Sequence, residues 1–281
     1  MEKNRPFKEI RHHGTLQYPF EIYENKHNVL ITEHWHDETE IIFMRKGILN
    51  IRINNKEYVS KPGDVFFINS GELHGFCGEN VEYFAFVFDM KTISFLDEDY
   101  IQQKFLLPII NGRIRFFHYI HADKQLSEVF FRMLSLNKEK PMAYMLGTKA
   151  LLLQIIGTLI DRGLYSEYEF EPNFESEFLK SIISYINEYY SERITLAEIS
   201  AEFNMSPKYF CRFFKKSFNK TFTEYVNTVR VERAMKLLVN KDISITEAAI
   251  ECGFSNMSYF TRTFKRICGY TPSFYLKTKS L

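Results

Sequence analysis

The sequence holds little that would staple, anchor or insert it. Four cysteines are spread through 281 residues (Cys77, Cys211, Cys252 and Cys268), with no C-x-x-C spacing. That argues against a disulfide framework or a cysteine zinc ribbon, and reduced thiols are expected. Long hydrophobic runs are absent. The longest predominantly apolar stretch, Ala150–Ile160, lies between Lys149 and Asp161 and falls well short of the ~20 residues of a spanning helix. The opening Met1-Glu2-Lys3-Asn4-Arg5 has no apolar core behind it, so no secretory signal is expected. A cytoplasmic protein without a membrane partner follows. Charge of one sign is not in excess either: the net is +1, with 45% hydrophobic and 25% charged residues. This composition excludes disordered and fibrous classes, and the length suggests about two domains.

The near-zero total conceals an uneven distribution. Residues 176–281 carry 16 Lys+Arg against 10 Asp+Glu, net +6, whereas residues 1–175 are net −5. A basic half joined to an acidic half points to a polyanion partner for the basic half alone.

Residues 15–90 read as short strands. Ile41–Met44, Leu49–Ile53, Val65–Ile68 and Tyr83–Phe88 are β-branched and aromatic, separated by Lys46-Gly47, Asn54-Asn55, Lys61-Pro62-Gly63-Asp64 and Ser70-Gly71. Many short strands at this pitch predict a sandwich or barrel. From Ala122 the period becomes helical, with Leu126, Val129, Phe130, Met133 and Leu134 on one stripe. A second helix, from about Met142 to Arg162, aligns Leu146, Ala150, Leu153, Gly157 and Ile160, with Met145, Leu152, Ile156 and Leu159 beside them. This apolar arc of roughly 200° exceeds the ~100° that packing on one neighbour requires. Either the helix is wedged within its own domain or one face meets a second copy. A homodimer is the expectation, and Glu at both Leu152 and Ile156 should then yield monomers. Gly163–Glu175, with Pro172 and acidic residues only, reads as a linker.

The remainder repeats itself. Ile194-Thr195-Leu196-Ala197-Glu198 aligns with Ile243-Ser244-Ile245-Thr246-Glu247 at an offset of 49. Tyr209–Lys215 aligns with Tyr259–Lys265 at an offset of 50, so the second copy holds one extra turn residue. Each copy spells helix, turn, helix. Thr195/Glu198 and Ser244/Glu247 form capping boxes. Asn204 and Gly253 end the first helices in the left-handed conformation. Ser206-Pro207 starts the second helix of copy one, and Ser255 is the expected cap in copy two. Thr221 and Glu224 cap a longer helix to about Val239, whose Tyr225, Val226, Val229, Ala234, Leu237 and Leu238 can pack on both copies. Phe210, Phe213 and Phe214 face inward, as do Phe260, Phe264 and Ile267. Opposite them lie Lys208, Cys211, Arg212 and Lys215, then Ser258, Thr261, Arg262 and Lys265. A helix fits the DNA major groove, where Arg commonly reads guanine.

The run Ser206-Pro207-x-Tyr209-Phe210-x-Arg212-x-Phe214-Lys215, together with Tyr225-x4-Arg230-x3-Ala234-x2-Leu237-Leu238 and Gly253-Phe254-Ser255…Gly269-Tyr270-Thr271-Pro272, resembles the tandem helix-turn-helix domain of AraC-type transcription regulators. Asn204 and Asn219 stand where that family favours glycine. The resemblance implies base contacts from Lys208, Cys211 and Arg212, then Met257, Ser258, Tyr259 and Arg262, with Cys211 a weak reader. Lys215 and Lys265, one turn on, are expected to meet phosphate. It also implies double-stranded DNA, RNA polymerase, a small-molecule effector and a second copy of the chain as partners. The implied role is an activator of catabolic genes responding to a carbohydrate.

The strand-rich half contains His34-x-His36-x3-Glu40-x6-Gly47 and Gly63-x5-Asn69-x-Gly71-x2-His74. On one strand, residues 34, 36 and 40 would share parity. Three imidazoles and a carboxylate suit a divalent metal, and the spacing resembles that of metal-binding cupins except at Asn69, where proline is usual. Alternatively His34, Trp35, His36, Glu40 and His74 line an effector pocket without metal, or are satisfied polar groups. No catalytic nucleophile or second acid–base pair accompanies them, so no enzyme is expected. The rival is a metal-dependent cupin enzyme with a DNA-binding tail; a third reading is a regulator governed by protein partners alone. The combined expectation is a multidomain α+β chain. It comprises a cupin-like β-barrel (1–121), a helical dimerisation hairpin (122–162), a linker (163–175) and an all-α DNA-binding domain (176–281).

Overall fold

The computed structural model describes residues 13–15, 17–95, 99–167, 174–218, 220–240 and 243–279. Asn219 and residues 168–173 of the expected linker lie outside them. The chain divides into two compact units: the first holds residues 13–29 and 35–174, the second residues 30–34 and 175–281.

The first unit is built on antiparallel strands that the β-branched and aromatic runs dictate. One sheet has the order β1 (Phe20–Asn25), β8 (Glu82–Phe88), β3 (Thr39–Lys46), β6 (Val65–Ile68), β10 (Tyr119–Ile120). The other runs β7 (His74–Gly78), β4 (Asn50–Ile53), β5 (Lys56–Val59); strand β2 (Val29–His34) falls, from Leu30 on, within the second unit. A two-stranded ribbon joins β9 (Ile114–Phe116) to β11 (Tyr165–Glu167). Residues 165–167, expected in the linker, are therefore a strand; three residues are too short for a period to show. Central strand β3 is buried from Thr39 to Met44, with the apolar run Ile41–Met44 in the core and Thr39 and Glu40 the buried polar residues before it. Each anticipated turn contains a left-handed residue: Gly47, Asn54, Gly63 and Gly71. Asp64 pins one of them, accepting from the Lys61 backbone N–H and the Tyr119 hydroxyl, both at 2.7 Å.

After a short helical turn, α1 (Leu107–Ile110), helices α2 (Lys124–Glu139) and α3 (Tyr144–Asp161) share the core of the five-stranded sheet. Phe130 of α2 stacks on Phe43 of β3 at 5.1 Å. A Cβ on Gly147 would meet Leu136 Cδ2 at 2.6 Å, so glycine lets α2 and α3 approach. Leu151, Leu152, Ile155, Ile156 and Leu159 are buried in this core. Charges at Leu152 and Ile156 would thus break the unit itself, not a contact between chains, correcting the sequence expectation. The face through Leu146, Ala150, Leu153, Gly157 and Ile160 stays wholly or partly uncovered. In length and hydropathy α3 would suit a membrane, but its other face is committed to this core.

The second unit is all helical: α4 (Phe174–Tyr189), α5 (Leu196–Glu202), α6 (Pro207–Phe218), α7 (Phe222–Asn240), α8 (Ile245–Glu251), α9 (Met257–Cys268) and α10 (Pro272–Lys279). Both capping boxes form. The N-terminal end of α7 packs on copy one, with Tyr225 against Phe214 and Phe218. Val231, Ala234, Met235 and Leu238 pack with Phe254, Phe260 and Phe264 of copy two. Arg230 of α7 donates to the carbonyls of Tyr190 and Glu192, closing the end of α4.

The extra residue of copy two is Ser255. Up to the turn both copies close alike: Asn204 and Gly253 are left-handed, at φ 53° and 82°. The Met205 and Phe254 N–H groups donate to Ser200 and Ala249, five residues back. After the turn Ser206 caps α6, and Asn256, not Ser255, caps α9 by accepting from the Tyr259 N–H at 2.8 Å. Asparagine caps as well as serine does, so residue type alone could not choose between neighbours.

Candidate functional site

Buried phenylalanines set the rotation of both recognition helices. Phe210 and Phe214 of α6, and Phe260 and Phe264 of α9, are fully enclosed. Lys208, Cys211, Arg212 and Lys215 are consequently exposed on α6, and Ser258, Tyr259, Arg262 and Lys265 on α9. Met257 is half-buried. Tyr259 is less free than its neighbours, because its hydroxyl accepts from Asn227 Nδ2 at 2.8 Å. Sequence reasoning passed over Tyr209, the counterpart of Tyr259, which is half-exposed and lies nearly parallel to Phe213. It also passed over Lys216 and Arg266, an exposed basic pair in the last turns. The 50-residue offset would have found both.

In the first unit His36, Glu40 and His74 converge, though by another route than expected, while His34 belongs to the second unit. Residues 34, 36 and 40 are not on one strand: His34 ends β2, His36 lies in the connection, and Glu40 is in β3. Parity therefore does not group them; the turn at 37–38 sets His36 beside Glu40, and β7 adds His74. His36, Glu40 and His74 each offer one ligand atom, all within 4.8 Å of one another. His36 Nε2 and His74 Nε2 stand 3.4 and 3.2 Å from Glu40 Oε2. His74 is fully buried, His36 and Glu40 nearly so, and His34 partly. Burial would push the Glu40 carboxyl up, but hydrogen bonds and charge from His36 and His74 outweigh it and hold it far below the usual range. Trp35 is half-buried in an isolated bridge and supplies none of these donors.

Asn69, in the place of the cupin proline, has structural work. Its side chain accepts from the Phe116 N–H at 2.8 Å and donates to the Phe116 carbonyl and to Glu72. Glu72 in turn pairs with His118 at 3.0 Å, whose other ring nitrogen meets the Tyr58 hydroxyl. Burial would raise the Glu72 carboxyl, but His118 and Asn69 hold it low. His13, its ring 5.4 Å from His36, also joins the site; it precedes every strand, so no pattern marks it. A separate cavity of about 370 Å³ in this unit is lined by Asp37, Thr39, Asn69, Lys91, Ile114 and Arg115 among others.

Known proteins match the two units separately. The AraC-like ligand binding domain matches residues 18–156, and a helix-turn-helix domain matches residues 199–278. The chain belongs to the AraC family of transcription regulators. As an AraC-family member it is a DNA-binding transcription regulator with a ligand-binding domain. It is 27% identical to the uncharacterized HTH-type transcriptional regulator YdeC of Bacillus subtilis, covering 97% of each chain. It is 26% identical to the uncharacterized regulator YdiP of Escherichia coli, over 86% of this chain and 80% of that one. ToxT of Vibrio cholerae shares the fold, with a TM-score of 0.50 at 13% identity over 93% of this chain and 97% of its own.

Proposed function

We propose that this AraC-family regulator acts in the cytoplasm as a homodimer, each chain placing α6 and α9 in successive major-groove segments of its operator. The observation that carries the reading is the repeated arginine. Arg212 and Arg262 occupy equivalent exposed places on two helices whose opposite faces are locked by buried phenylalanines. Two helices entering one face of B-DNA lie about one turn, ~34–36 Å, apart. Footprinting with single-base operator variants tests the docking. Arg212→Ala and Arg262→Ala should relax preference at two separate positions, by ~1–3 kcal/mol each. Lys215→Ala should weaken all sequences alike and flatten the salt dependence. A change at one shared base pair, or at none, rejects the docking.

The dimer contact is assigned to the uncovered α3 face. Leu146→Glu with Ala150→Glu should give monomers by light scattering while the unit stays folded; a wild-type chain that is monomeric at tens of micromolar rejects it.

The effector we propose is a carbohydrate. His36, Glu40 and His74, with their donor atoms within 4.8 Å, leave no room for a sugar ring between them. The 370 Å³ cavity has that room, and Asp37, Asn69, Lys91 and Arg115 offer partners for hydroxyl groups. Activation through RNA polymerase is the mode the family likeness supports. A promoter fusion, assayed with and without the regulator and a sugar panel, separates activation from repression.

A further inference from the structure

Tyr259 stands apart from the other outward residues of α9. At about 100° per residue, Arg262 lies opposite the buried Phe260 and Phe264, Lys265 about 60° to one side of it and Tyr259 about 60° to the other. The Tyr259 hydroxyl accepts from Nδ2 of Asn227 on α7 at 2.8 Å. Asn227 is 3% exposed and Tyr259 41%. An amide NH2 only donates, so this bond uses an oxygen lone pair and leaves the phenolic hydrogen for another acceptor. The amide lies inside the unit, and the hydrogen therefore points off its surface. The ring is braced as well, with that of Phe254 at 6.2 Å. Tyr209, the counterpart in copy one, lies nearly parallel to Phe213 at 6.5 Å instead.

We propose that Tyr259 donates to a DNA backbone phosphate, and that Asn227 is the positioning residue that holds its hydroxyl for that bond. A helix in the major groove has a sugar-phosphate strand on each side, so its outermost residues meet base edges and its flanks meet phosphates. Lys265 takes one border and Tyr259 the other. A phosphate oxygen is a charged acceptor, with which a hydroxyl forms a strong hydrogen bond. A ring already held in place costs less to order when DNA arrives. The family likeness groups Tyr259 with Ser258 and Arg262 as base readers; its tie to α7 turns it from the bases to the backbone. Such a contact fixes the register of α9 and carries no sequence information of its own.

The inference rests on the docking of α9 in the groove, and the two readings are told apart by different measurements. Arg262→Ala reports the docking through base preference, and Tyr259→Phe reports the anchor through affinity. Full-length chains are titrated over a range of salt against a duplex that the wild-type chain selects from a random pool, and against its single-base variants. Tyr259→Phe removes one oxygen from a half-exposed side chain and should weaken every duplex by the same factor, ~10–100-fold. The slope of log K against log salt should not change, because a neutral hydroxyl displaces no counterion, whereas Lys265→Ala should flatten it by about one. Asn227→Leu should lose most of the Tyr259→Phe factor, and nothing further when combined with Tyr259→Phe. Asn227→Asp, which is isosteric, offers only acceptors, takes the phenolic hydrogen and should lose at least as much. Wild-type affinity in Tyr259→Phe overturns the proposal. So does a loss confined to one base pair, which would make the contact a base. Losses from Asn227 and Tyr259 that simply add, in chains folded by circular dichroism, overturn the positioning role. If Arg262→Ala leaves base preference unchanged, the docking fails and the anchor falls with it.

Discussion

The two helix-turn-helix copies differ by one residue, and that residue is Ser255, between the closure of α8 and the cap of α9. Everything before it superimposes at an offset of 49, everything after at 50. Yet Arg212 and Arg262 stand at the same place on their helices, because each recognition helix is oriented by its own buried phenylalanines. Turn length is thus free to vary where core contacts are not. In copy two the residue before the insertion, Phe254, is buried, its ring packed on Phe260 at 4.9 Å.

The strongest way to break this equivalence is to remove the cores. Phe214→Ala and Phe264→Ala should each cost ~3–5 kcal/mol of the unit's stability in urea titrations. A loss under about 1 kcal/mol in either copy would show that its helix is oriented by something else.

The closures should respond unequally. At Gly253, φ is 82° and a Cβ would meet the Ser191 carbonyl oxygen at 2.6 Å. Gly253→Ala should therefore cost more than the ~1–2 kcal/mol of left-handed strain alone. Asn204→Gly, at φ 53°, should be close to neutral. Equal thermal shifts for the two would contradict the packing at Ser191.

The smallest effects sharpen the cap assignment. Ser206→Ala and Asn256→Ala should each cost ~1 kcal/mol, whereas Ser255→Ala should stay within about 0.5 kcal/mol. A larger loss at Ser255 would return the cap to that residue.

The repeat was legible because its signals are local: helix period, capping boxes and left-handed closures act over four or five residues. Among its helix boundaries, the choice between Ser255 and Asn256 escaped, since both residue types cap. The first unit was legible in its strands and turns but not in two decisions. Leu146 and Leu152 are equally apolar in sequence, and only the sheet behind α3 determines which is covered. The histidines were found by spacing, but the parity that grouped them does not exist, because a turn separates His36 from Glu40. His13 gives no local signal at all.

By itself, then, the sequence determined the strand-rich and helical halves, the duplicated recognition helices, and which of their faces is basic. Those follow from short-range periodicity and backbone capping. Tertiary structure decided which face of α3 is spent inside the chain, that residues 165–167 pair with β9, and how His36, Glu40 and His74 meet within 4.8 Å. Such contacts depend on elements far apart in the chain, and burial against them is a property that no local pattern encodes.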